Sequence, residues 1–252
     1  MTGTVKEAIA GVVDYTVAVG PEGDAPIVRD ATVHLVAGRV HGLIGGSGAG
    51  KSTIGRAIAG LRPRGARTTG RVIGEGTAGL VPQAPASSFT PVRRLGPQLA
   101  EILAANGGDE GDVAKLLHRV HLPADTARMF PHQLSGGMAQ RAAIAAALAT
   151  GRPVIVADEP TSALDPELTA GVLGLLREVA DDGLAVLLIS HDIEDLRVAG
   201  LCDDVSVMRR GEIIEQGPAE RVFASPAHDY TRALLAALPS GGMRLTAPYE
   251  RG

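Results

Sequence analysis

The chain has 252 residues, with 24 lysines and arginines against 28 aspartates and glutamates, and its formal net charge is −4. This balance excludes the basic excess that is typical of proteins that bind nucleic acid. Apolar residues make up 45% and aromatic residues 2%, with no tryptophan, which indicates a globular protein without the aromatic platforms on which single-stranded bases stack.

Cysteine content and hydropathy further narrow the class of protein to which the chain can belong. The single cysteine, Cys202, excludes an internal disulfide or a thiolate metal cluster, and we interpret it as a small buried residue in a reducing compartment. No stretch approaches the roughly 18 uninterrupted apolar residues of a transmembrane helix, and the N-terminus lacks a signal-peptide core. We therefore expect a soluble, cytoplasmic chain that would depend on other chains for any membrane spans.

The first third of the chain predicts strands around a glycine-rich loop. Alternating apolar residues in VVDYTVAV predict a half-buried strand, and GPEGDAP predicts a turn. The segment ATVHLVAGRVHGLIG predicts a hairpin, with a first strand that ends near Val36, a turn at 37–39 and a second strand over Val40–Ile44. After the loop, STIGRAIAGL predicts a helix, and GRVI and AGLV are short strand candidates.

The middle of the chain, from about Ala84 to Gln140, predicts helices. LGPQLAEILAAN and DVAKLLHRVHL have helical character, and SGGMAQRAAIAAALA combines a capping start with an alanine-rich run. The apolar residues of the second segment recur at i, i+3, i+4 and i+7, namely at Val113, Leu116, Leu117 and Val120. We expect an inserted helical subdomain here.

The last third predicts a return to alternating strands and helices. PVIVAD and LAVLLIS are unbroken apolar runs of the buried-strand type, with the helical segment LTAGVLGLLREVA between them. VSVMRRGEIIEQG predicts a hairpin around Arg210 and Gly211, and HDYTRALLAAL predicts a final amphipathic helix. The alternation indicates an α/β core with a parallel sheet.

The loop GGSGAGKST carries the strongest chemical signal. Residues 45–52 fit the pattern G-x-x-x-x-G-K-[ST] between a predicted strand and a predicted helix, as a phosphate-binding loop requires. Backbone N–H groups and the helix N-terminus would cradle phosphates, Lys51 would reach the β- and γ-phosphates, and Ser52 would offer its hydroxyl to Mg²⁺. The predicted nucleotide-binding residues, called the phosphate loop below, are Gly45, Gly46, Ser47, Gly48, Ala49, Gly50, Lys51, Ser52 and Thr53.

Two carboxylates follow the buried strand of VIVADEPTSALD. At the carboxyl end of such a strand, Asp158 would hold Mg²⁺ through its water shell, and Glu159 would orient or deprotonate an attacking water. Neighbouring strand residues point to opposite faces, so we expect different roles for the two. Taken alone, the pair is equally consistent with solvated acids at a capped strand end.

These residues carry a resemblance over nearly the whole chain to the nucleotide-binding subunits of ABC transporters. LSGGMAQ at 134–140 resembles the signature motif, SALD at 162–165 the D-loop, Gln83 in LVPQ the Q-loop glutamine, and His191 in LLISHD the switch histidine. The resemblance implies a P-loop NTPase (RecA-like) core with an N-terminal antiparallel β subdomain and an inserted α-helical subdomain. It implies a single ATPase domain over 1–252, in which 84–146 form the helical subdomain and 1–83 with 147–252 the rest.

The resemblance also implies a site shared between two subunits. Two ATP molecules would be sandwiched between the pair, with the signature and D-loop of one subunit facing the nucleotide of the other. Predicted trans contacts are Ser135, Gly136, Gly137 and Asp165. Predicted catalytic residues are Glu159, His191 and Gln83. Predicted metal-site residues are Ser52, Gln83 and Asp158. His191 is otherwise an ordinary histidine at a strand end, and no metal-ligand spacing links His34, His41, His118, His121, His132 and His228.

Three stretches resemble the dipeptide, oligopeptide and nickel importers within this family. They are LVPQAPASSFTPVRRLGPQLAE, GGMAQR and SPAHDYTRALLAALP. This branch implies a peptide, nickel or related solute or chelate as cargo, and partners comprising a second ATPase subunit (identical or different), two transmembrane permease subunits and a solute-binding protein. It places the chain at the cytoplasmic face of the plasma (inner) membrane. We expect no nucleic-acid partner, no regulatory domain after the last helix and no iron–sulfur centre.

Three alternatives compete with this interpretation. A regulatory or degenerate cassette is one of them, although the sequence retains Lys51, Gln83, Asp158, Glu159 and His191. A soluble ABC ATPase that acts on nucleic acid or ribosomes would usually carry coiled coils, a second cassette or basic arms, none of which is visible. The segment LSGGMAQ has no known role in a P-loop kinase or G protein.

The ABC family usually places an aromatic side chain near the position of Val19, where it stacks on adenine. Tyr15 is four residues too early for this role, so no adenine stack is assigned.

Overall fold

The computed structural model describes residues 7–20, 26–162, 164–198 and 200–237. Within these ranges the strands are β1 (Ala8–Ala18), β2 (Val28–Val36), β3 (Val40–Ile44), β4 (Arg67–Ile73), β5 (Ala78–Val81), β6 (Val154–Asp158), β7 (Ala185–Ser190), β8 (Asp204–Arg209) and β9 (Glu212–Pro218). The α-helices are α1 (Lys51–Ile58), α2 (Leu95–Ala105), α3 (Val113–Arg119), α4 (Gly136–Ala149), α5 (Pro166–Asp181), α6 (Ile193–Val198), α7 (Ala219–Ala224) and α8 (Asp229–Ala236).

The larger of two sheets has the order β5-β6-β7-β3-β8-β9. Its neighbouring strands are parallel except for the antiparallel pair β8–β9. Every residue of β3, β6 and β7 is buried, which explains their unbroken apolar sequences, because parallel strands are covered on both faces. The carboxyl ends of these strands meet at one edge, where α/β sheets bind their ligands.

The smaller sheet is antiparallel, with the order β2-β1-β4. Its inner face buries Val12, Tyr15 and Val17. The register of β1 shifts between Val12 and Tyr15, where Asp14 adopts a φ of 48°, so the strand alternates less regularly than its sequence predicts. The predicted turn GPEGDAP falls mostly on 21–25, outside the described residues.

The predicted hairpin over residues 31–45 is wrong in its pairing, although both strands and the turn exist. β2 pairs with β1 in the small sheet, whereas β3 pairs with β7 and β8 in the large one. The turn delivers the chain from one sheet to the other, and the N–H of Gly38 bonds to the carbonyl of Leu184 instead of closing a hairpin. Complete burial of β3 demands neighbours on both edges and helices on its faces, which an adjacent β2 would not supply.

The predicted hairpin around Arg210 and Gly211 is confirmed as the antiparallel pair β8–β9. Both residues have positive φ, 50° and 89°, as a tight hairpin turn requires. The helices α2, α3 and α4 lie between β5 and β6 along the chain, and Leu116, Leu117 and Val120 join the main core. None of the helices within the described ranges has the length and hydropathy needed to span a bilayer.

Helix α1 lies unusually close to the large sheet, which fixes the start of the helix beside the strand ends. A Cβ on Gly55 would lie 2.7 Å from a methyl of Ile189 and 2.8 Å from one of Val156. Since real Cβ contacts below 3.0 Å are essentially never seen, only glycine allows this approach. The N-terminus of α1 and the loop before it are thereby held at the ligand-binding edge.

Candidate functional site

The phosphate loop connects β3 to α1 and depends on glycine backbone geometry. Gly45, Gly48 and Gly50 have φ values of 149°, 74° and 104°, which other residues rarely adopt. Gly50 is also the residue that immediately precedes α1. The loop therefore curls directly into a helix N-terminus, which is the arrangement that binds phosphate groups through backbone N–H donors.

Lys51 is folded into this loop. Its side chain is buried, and Nζ donates to the carbonyls of Gly45 at 2.8 Å and Gly46 at 3.0 Å. Burial lowers the pKa of the ammonium group, and the nearby carboxylates of Glu159 and Asp158 oppose that shift. The charge is thus held in place by two carbonyls before any phosphate arrives, which suits a lysine that meets the anionic end of a nucleotide.

Ser52 and Asp158 form a pair of oxygen donors at the ends of α1 and β6. Ser52 Oγ donates to Asp158 Oδ1 at 2.8 Å, and Asp158 is only 7% exposed. Burial raises the pKa of the Asp158 carboxyl, and the Ser52 hydrogen bond pulls in the other direction. A hydroxyl and a carboxylate are the hard donors that Mg²⁺ prefers, and Mg²⁺ usually completes its shell with water and phosphate. The donor set fits that ion.

Glu159 lies at the centre of a second constellation. Gln83 Nε2 donates to its Oε2 at 2.8 Å, and His191 Nδ1 lies 3.1 Å from its Oε1. The three residues follow the ends of β5, β6 and β7, so strands distant in sequence bring them together. Glu159 itself has a φ of 50°, a strained conformation for a residue other than glycine and one that clusters at functional sites.

Asp158 and Glu159 have different partners, as their positions on opposite faces of a strand end would predict. Asp158 contacts Ser52, and Glu159 contacts Gln83 and His191. A cavity adjoins the second group and is lined by Glu159, His191 and several hydroxyl-bearing side chains. These are Thr161, Ser162, Thr169 and Ser190.

The signature segment begins α4 and faces outward at its start. Ser135 and Gly136 are exposed, and Ser135 Oγ accepts from the N–H of Met138 at 3.3 Å as the N-cap. Gly137 is buried, and a Cβ there would lie 2.9 Å from a methyl of Leu168. The N-terminus of this 14-residue helix, where the first N–H groups have no partner within the helix, is therefore exposed at Ser135 and Gly136.

Asp165 of the D-loop segment is exposed and caps α5. Its Oδ1 accepts from the N–H of Leu168 at 2.9 Å. A carboxylate at this position stabilises the helix N-terminus. In this structure the Asp165 side chain thus has an intramolecular partner.

Three residues discussed from the sequence, Tyr15, Cys202 and His41, are buried or partly buried in the fold. Tyr15 is 2% exposed and lies in the core of the small sheet, so it is not available to a ligand, whereas Val19 is 38% exposed. Burial raises the pKa of the Cys202 thiol to about 12, which agrees with an inert residue. Buried His41 pairs with Ser206 Oγ at 2.9 Å.

One residue near the phosphate loop has no signal in the sequence. The hydroxyl of Tyr230, on α8, lies 3.4 Å from the position that a Cβ would take on Gly46. The two residues are far apart along the chain and belong to no shared motif, so only the fold shows that they lie near each other.

Comparisons with known proteins agree with this geometry. The ABC transporter family matches residues 28–162. The oligopeptide transport ATP-binding protein OppD of Haemophilus influenzae is 35% identical over 244 residues, which span 87% of this chain and 75% of the relative. OppD of Salmonella typhimurium is 36% identical, with 90% and 76% covered, and the dipeptide transport ATP-binding protein DppF of Lactococcus lactis subsp. cremoris is 35% identical, with 90% and 79% covered.

Solved structures share the fold. The structure of cbiO1 from Clostridium perfringens, part of the ABC transporter complex cbiONQ, superposes with a TM-score of 0.73 at 25% identity and covers 94% of this chain and 98% of its own. The dimeric structure of the bacterial ABC transporter cassette MJ0796 gives a TM-score of 0.69 at 24% identity, with 83% and 98% covered. Family match, curated relatives and architecture agree, and the chain belongs to the ABC transporter family.

Proposed function

We propose that this chain binds and hydrolyses ATP to power the import of peptides through membrane partner subunits. The observation that carries the proposal is the meeting of Glu159 with Gln83 and His191 at the sheet edge where the phosphate loop also begins, after β3. Membership of the ABC transporter family and the names of its OppD and DppF relatives support the same function. Neither a kinase nor a nucleic-acid ATPase accounts for all of these features.

Each residue has a role that follows from its contacts. Backbone N–H groups of the phosphate loop bind the phosphates, and Lys51 turns from the carbonyls that hold it toward the γ-phosphate. Glu159 accepts a proton from the attacking water or orients that water. Gln83 and His191 fix the two carboxylate oxygens of Glu159, and each would contact the water or phosphate once ATP is bound.

We propose that Mg²⁺ accompanies ATP. Ser52 and Asp158 would hold it, and the side-chain oxygen of Gln83 would be a further ligand. The ion would neutralise charge that develops on the β- and γ-phosphates during transfer. The role of this chain's residues is to present a hydroxyl and a carboxylate oxygen that already lie within hydrogen-bond distance of each other.

We also propose that the nucleotide site is completed by a second subunit. The exposed N-terminus of α4, with Ser135, Gly136 and Gly137, would contact the γ-phosphate held by the partner, and Asp165 would approach the same boundary. The partner cassette is either a second copy or a related chain. Two permease subunits would supply the membrane path, a solute-binding protein would deliver the solute, and the pair of cassettes would lie at the cytoplasmic face of the membrane.

The hydrolytic role of Glu159 is tested by Glu159→Gln, which keeps the size of the side chain and removes its charge. We expect unchanged ATP affinity and a turnover lower by about 10²- to 10⁴-fold, the usual contribution of a general base. Exposed Glu220→Gln, on α7, is the matched control and should retain wild-type turnover. Unchanged ATP turnover in the assembled transporter for Glu159→Gln would remove Glu159 from this role.

The transport role is tested by isolating the chain with its native partners. We expect two membrane permease subunits and a second cassette to co-purify, and reconstituted vesicles to take up a peptide with ATP hydrolysis. Uptake of nickel or of a metal chelate is measured in the same vesicles for comparison with uptake of peptides. Recovery of ribosomes or DNA in place of membrane proteins would contradict the proposal.

A further inference from the structure

The turn between β8 and β9 is hydrogen-bonded to the phosphate loop. The N–H of Gly211, in this turn, donates to the carbonyl of Ala49 at 3.0 Å. Gly211 has a φ of 89°, which residues with a side chain rarely adopt, so the close approach of the turn depends on glycine. One peptide of the loop is therefore held by the backbone of a distant hairpin.

The turn is itself held by the small sheet. The carbonyl of Gly211 accepts from the N–H of Arg29, on β2, at 2.8 Å. The Arg29 side chain also pairs with Glu212, the first residue of β9, at 3.3 Å. Because β2 is an edge strand of the small sheet, this N–H lies on the side that faces away from β1. Gly211 thus links the edge of the small sheet to the phosphate loop through two backbone hydrogen bonds.

The bond to Ala49 fixes the direction of the peptide that joins Ala49 to Gly50. In a trans peptide the C=O and the following N–H point in opposite directions, so the Gly50 N–H points away from the hairpin. Among the described residues, none accepts a hydrogen bond from this N–H. Gly50 immediately precedes α1, so its N–H adds to the unpaired donors at the helix N-terminus, to which an anion can bind.

Little besides this bond prevents the peptide from reversing. A reversal changes ψ of Ala49 and φ of Gly50 together, and glycine adopts positive and negative φ about equally well, so the present φ of 104° is not enforced by Gly50 itself. The reversed peptide would direct a carbonyl oxygen toward bound phosphates and withdraw one N–H donor. The Gly211 hydrogen bond opposes that reversal.

We propose that Gly211 is a positioning residue for nucleotide binding, which keeps the Gly50 N–H directed at the phosphates by holding the Ala49 carbonyl. This inference rests on the proposed function. Lys51 leaves its carbonyl acceptors when it meets ATP, whereas the Gly211 bond is kept in the free and the bound state. The Gly50 N–H then serves the ground state and the transition state alike, so its loss appears in ATP binding and not in the chemical step.

The first variant is Gly211→Ala. Its added Cβ would lie 2.8 Å from the carbonyl oxygen of Ile27, so the turn must shift and the bond to Ala49 is disturbed. Calorimetry on the chain measures Kd for ATP and for inorganic tripolyphosphate, and the assembled complex gives KM and kcat. We expect both Kd values and KM to rise about tenfold with kcat unchanged, as loss of one hydrogen bond implies. An equal rise for tripolyphosphate, which has no base, identifies the lost contact as one to phosphate.

Gly183→Ala is the control for backbone strain alone. Gly183 has a φ of 102°, and no atom of the described residues lies within 4 Å of its Cβ position. It lies close to the amino end of β7, away from the strand ends at the site. We expect a lower unfolding temperature and an unchanged Kd for ATP, and a rise in Kd equal to that of Gly211→Ala would overturn the inference.

Arg29→Pro and Arg29→Ala test the link without a new Cβ in the turn. Both lose the ion pair with Glu212, but only proline also loses the N–H that holds Gly211. Proline is tolerated on an edge strand when the missing N–H faces away from the sheet. We expect Kd for ATP to rise about threefold in Arg29→Pro and to stay unchanged in Arg29→Ala.

The Arg29 pair decides the question even for a Gly211→Ala chain that does not fold. Equal Kd values in the pair, or an unchanged Kd in folded Gly211→Ala, would overturn the inference, while wild-type ATP binding would leave the proposed function intact. A wild-type chain that bound no ATP would instead refute the proposed function.

Discussion

The steric environment of Gly45 predicts a large and specific loss of stability in Gly45→Ala. The added Cβ would lie 2.1 Å from the carbonyl oxygen of Met208 and 3.1 Å from its carbon, well short of the 3.4 Å at which ordinary contact begins. Backbone atoms cannot rotate away, so β3 and β8 would have to separate. Overpacking of this kind costs about 1–3 kcal/mol and a strained φ about 1–3 kcal/mol, which together give about 2–6 kcal/mol.

Gly48→Ala is the matched control in the same loop. Gly48 also has a positive φ, 74°, but no atom of the described residues lies within 4 Å of its Cβ position. Only backbone strain applies, about 1 kcal/mol. In urea unfolding followed by circular dichroism, we expect the midpoint to fall by about 1–2 M in Gly45→Ala and by less than about 0.5 M in Gly48→Ala. Equal shifts in the two variants would show that the β8 backbone does not confine Gly45.

Two further predictions concern a buried histidine and the adenine site. Burial, with Arg39 and His34 adding to it, lowers the pKa of His41 from 6.5 to about 4, so the unfolded chain binds the extra proton first as the pH falls. Stability should therefore be complete above pH 6.5 and decline toward pH 4, by on the order of 3 kcal/mol from this group. Urea unfolding at pH 7 and pH 4.5 should show a smaller decline in His41→Gln than in wild type, and equal declines would contradict the assignment. Since Val19 is 38% exposed and Tyr15 is buried, Val19→Tyr should strengthen ATP binding by about tenfold, as stacking contributes about 1–3 kcal/mol. Tight discrimination of ATP over GTP by the wild-type chain in competition binding would contradict the absence of an aromatic stack on adenine.

The sequence predicted individual elements well because their signals are local. Unbroken apolar runs identified β6 and β7, the capping serine and alanine-rich run identified α4, and the turn at Arg210 and Gly211 identified the β8–β9 pair. Partner choice is not a local property, which is why the strands before and after the turn at 37–39 were paired wrongly. Burial of β3 between β7 and β8 depends on segments more than a hundred residues away.

The candidate site also divides into features that local sequence predicts and contacts that only the fold creates. The phosphate loop and the acids after β6 are contiguous motifs, and their chemistry follows from residue type and spacing. Gln83 and His191 were predicted as site residues from the resemblance alone, because no local sequence pattern identifies a glutamine after β5 or a histidine after β7 as functional. Their contacts with Glu159 come from the order of strands in the sheet. The roles of the site residues, and the boundaries of a helical subdomain at 84–146, stay predictions.

The adenine contact that the resemblance implies near Val19 is the clearest case in which a resemblance does not extend to every residue. The end of β1 lies beside the phosphate loop, because the Ile27 N–H bonds to the Val17 carbonyl and the Ile27 carbonyl lies 2.8 Å from the Cβ position of Gly50. Val19 is therefore near the loop but offers only a small aliphatic side chain. A base held there would be bound without an aromatic stack from this residue.

Completion of the nucleotide site by a second subunit is tested most directly by the effect of Ser135→Glu on ATP binding and turnover. A carboxylate at the exposed start of α4 would repel the γ-phosphate held by a partner subunit, whichever chain that partner is, and would leave this chain's own phosphate loop untouched. We expect the isolated Ser135→Glu chain to bind ATP with wild-type affinity, whereas turnover in the assembled transporter should fall by about 100-fold or more. Wild-type turnover in the assembled Ser135→Glu complex would contradict a nucleotide site completed across the subunit boundary.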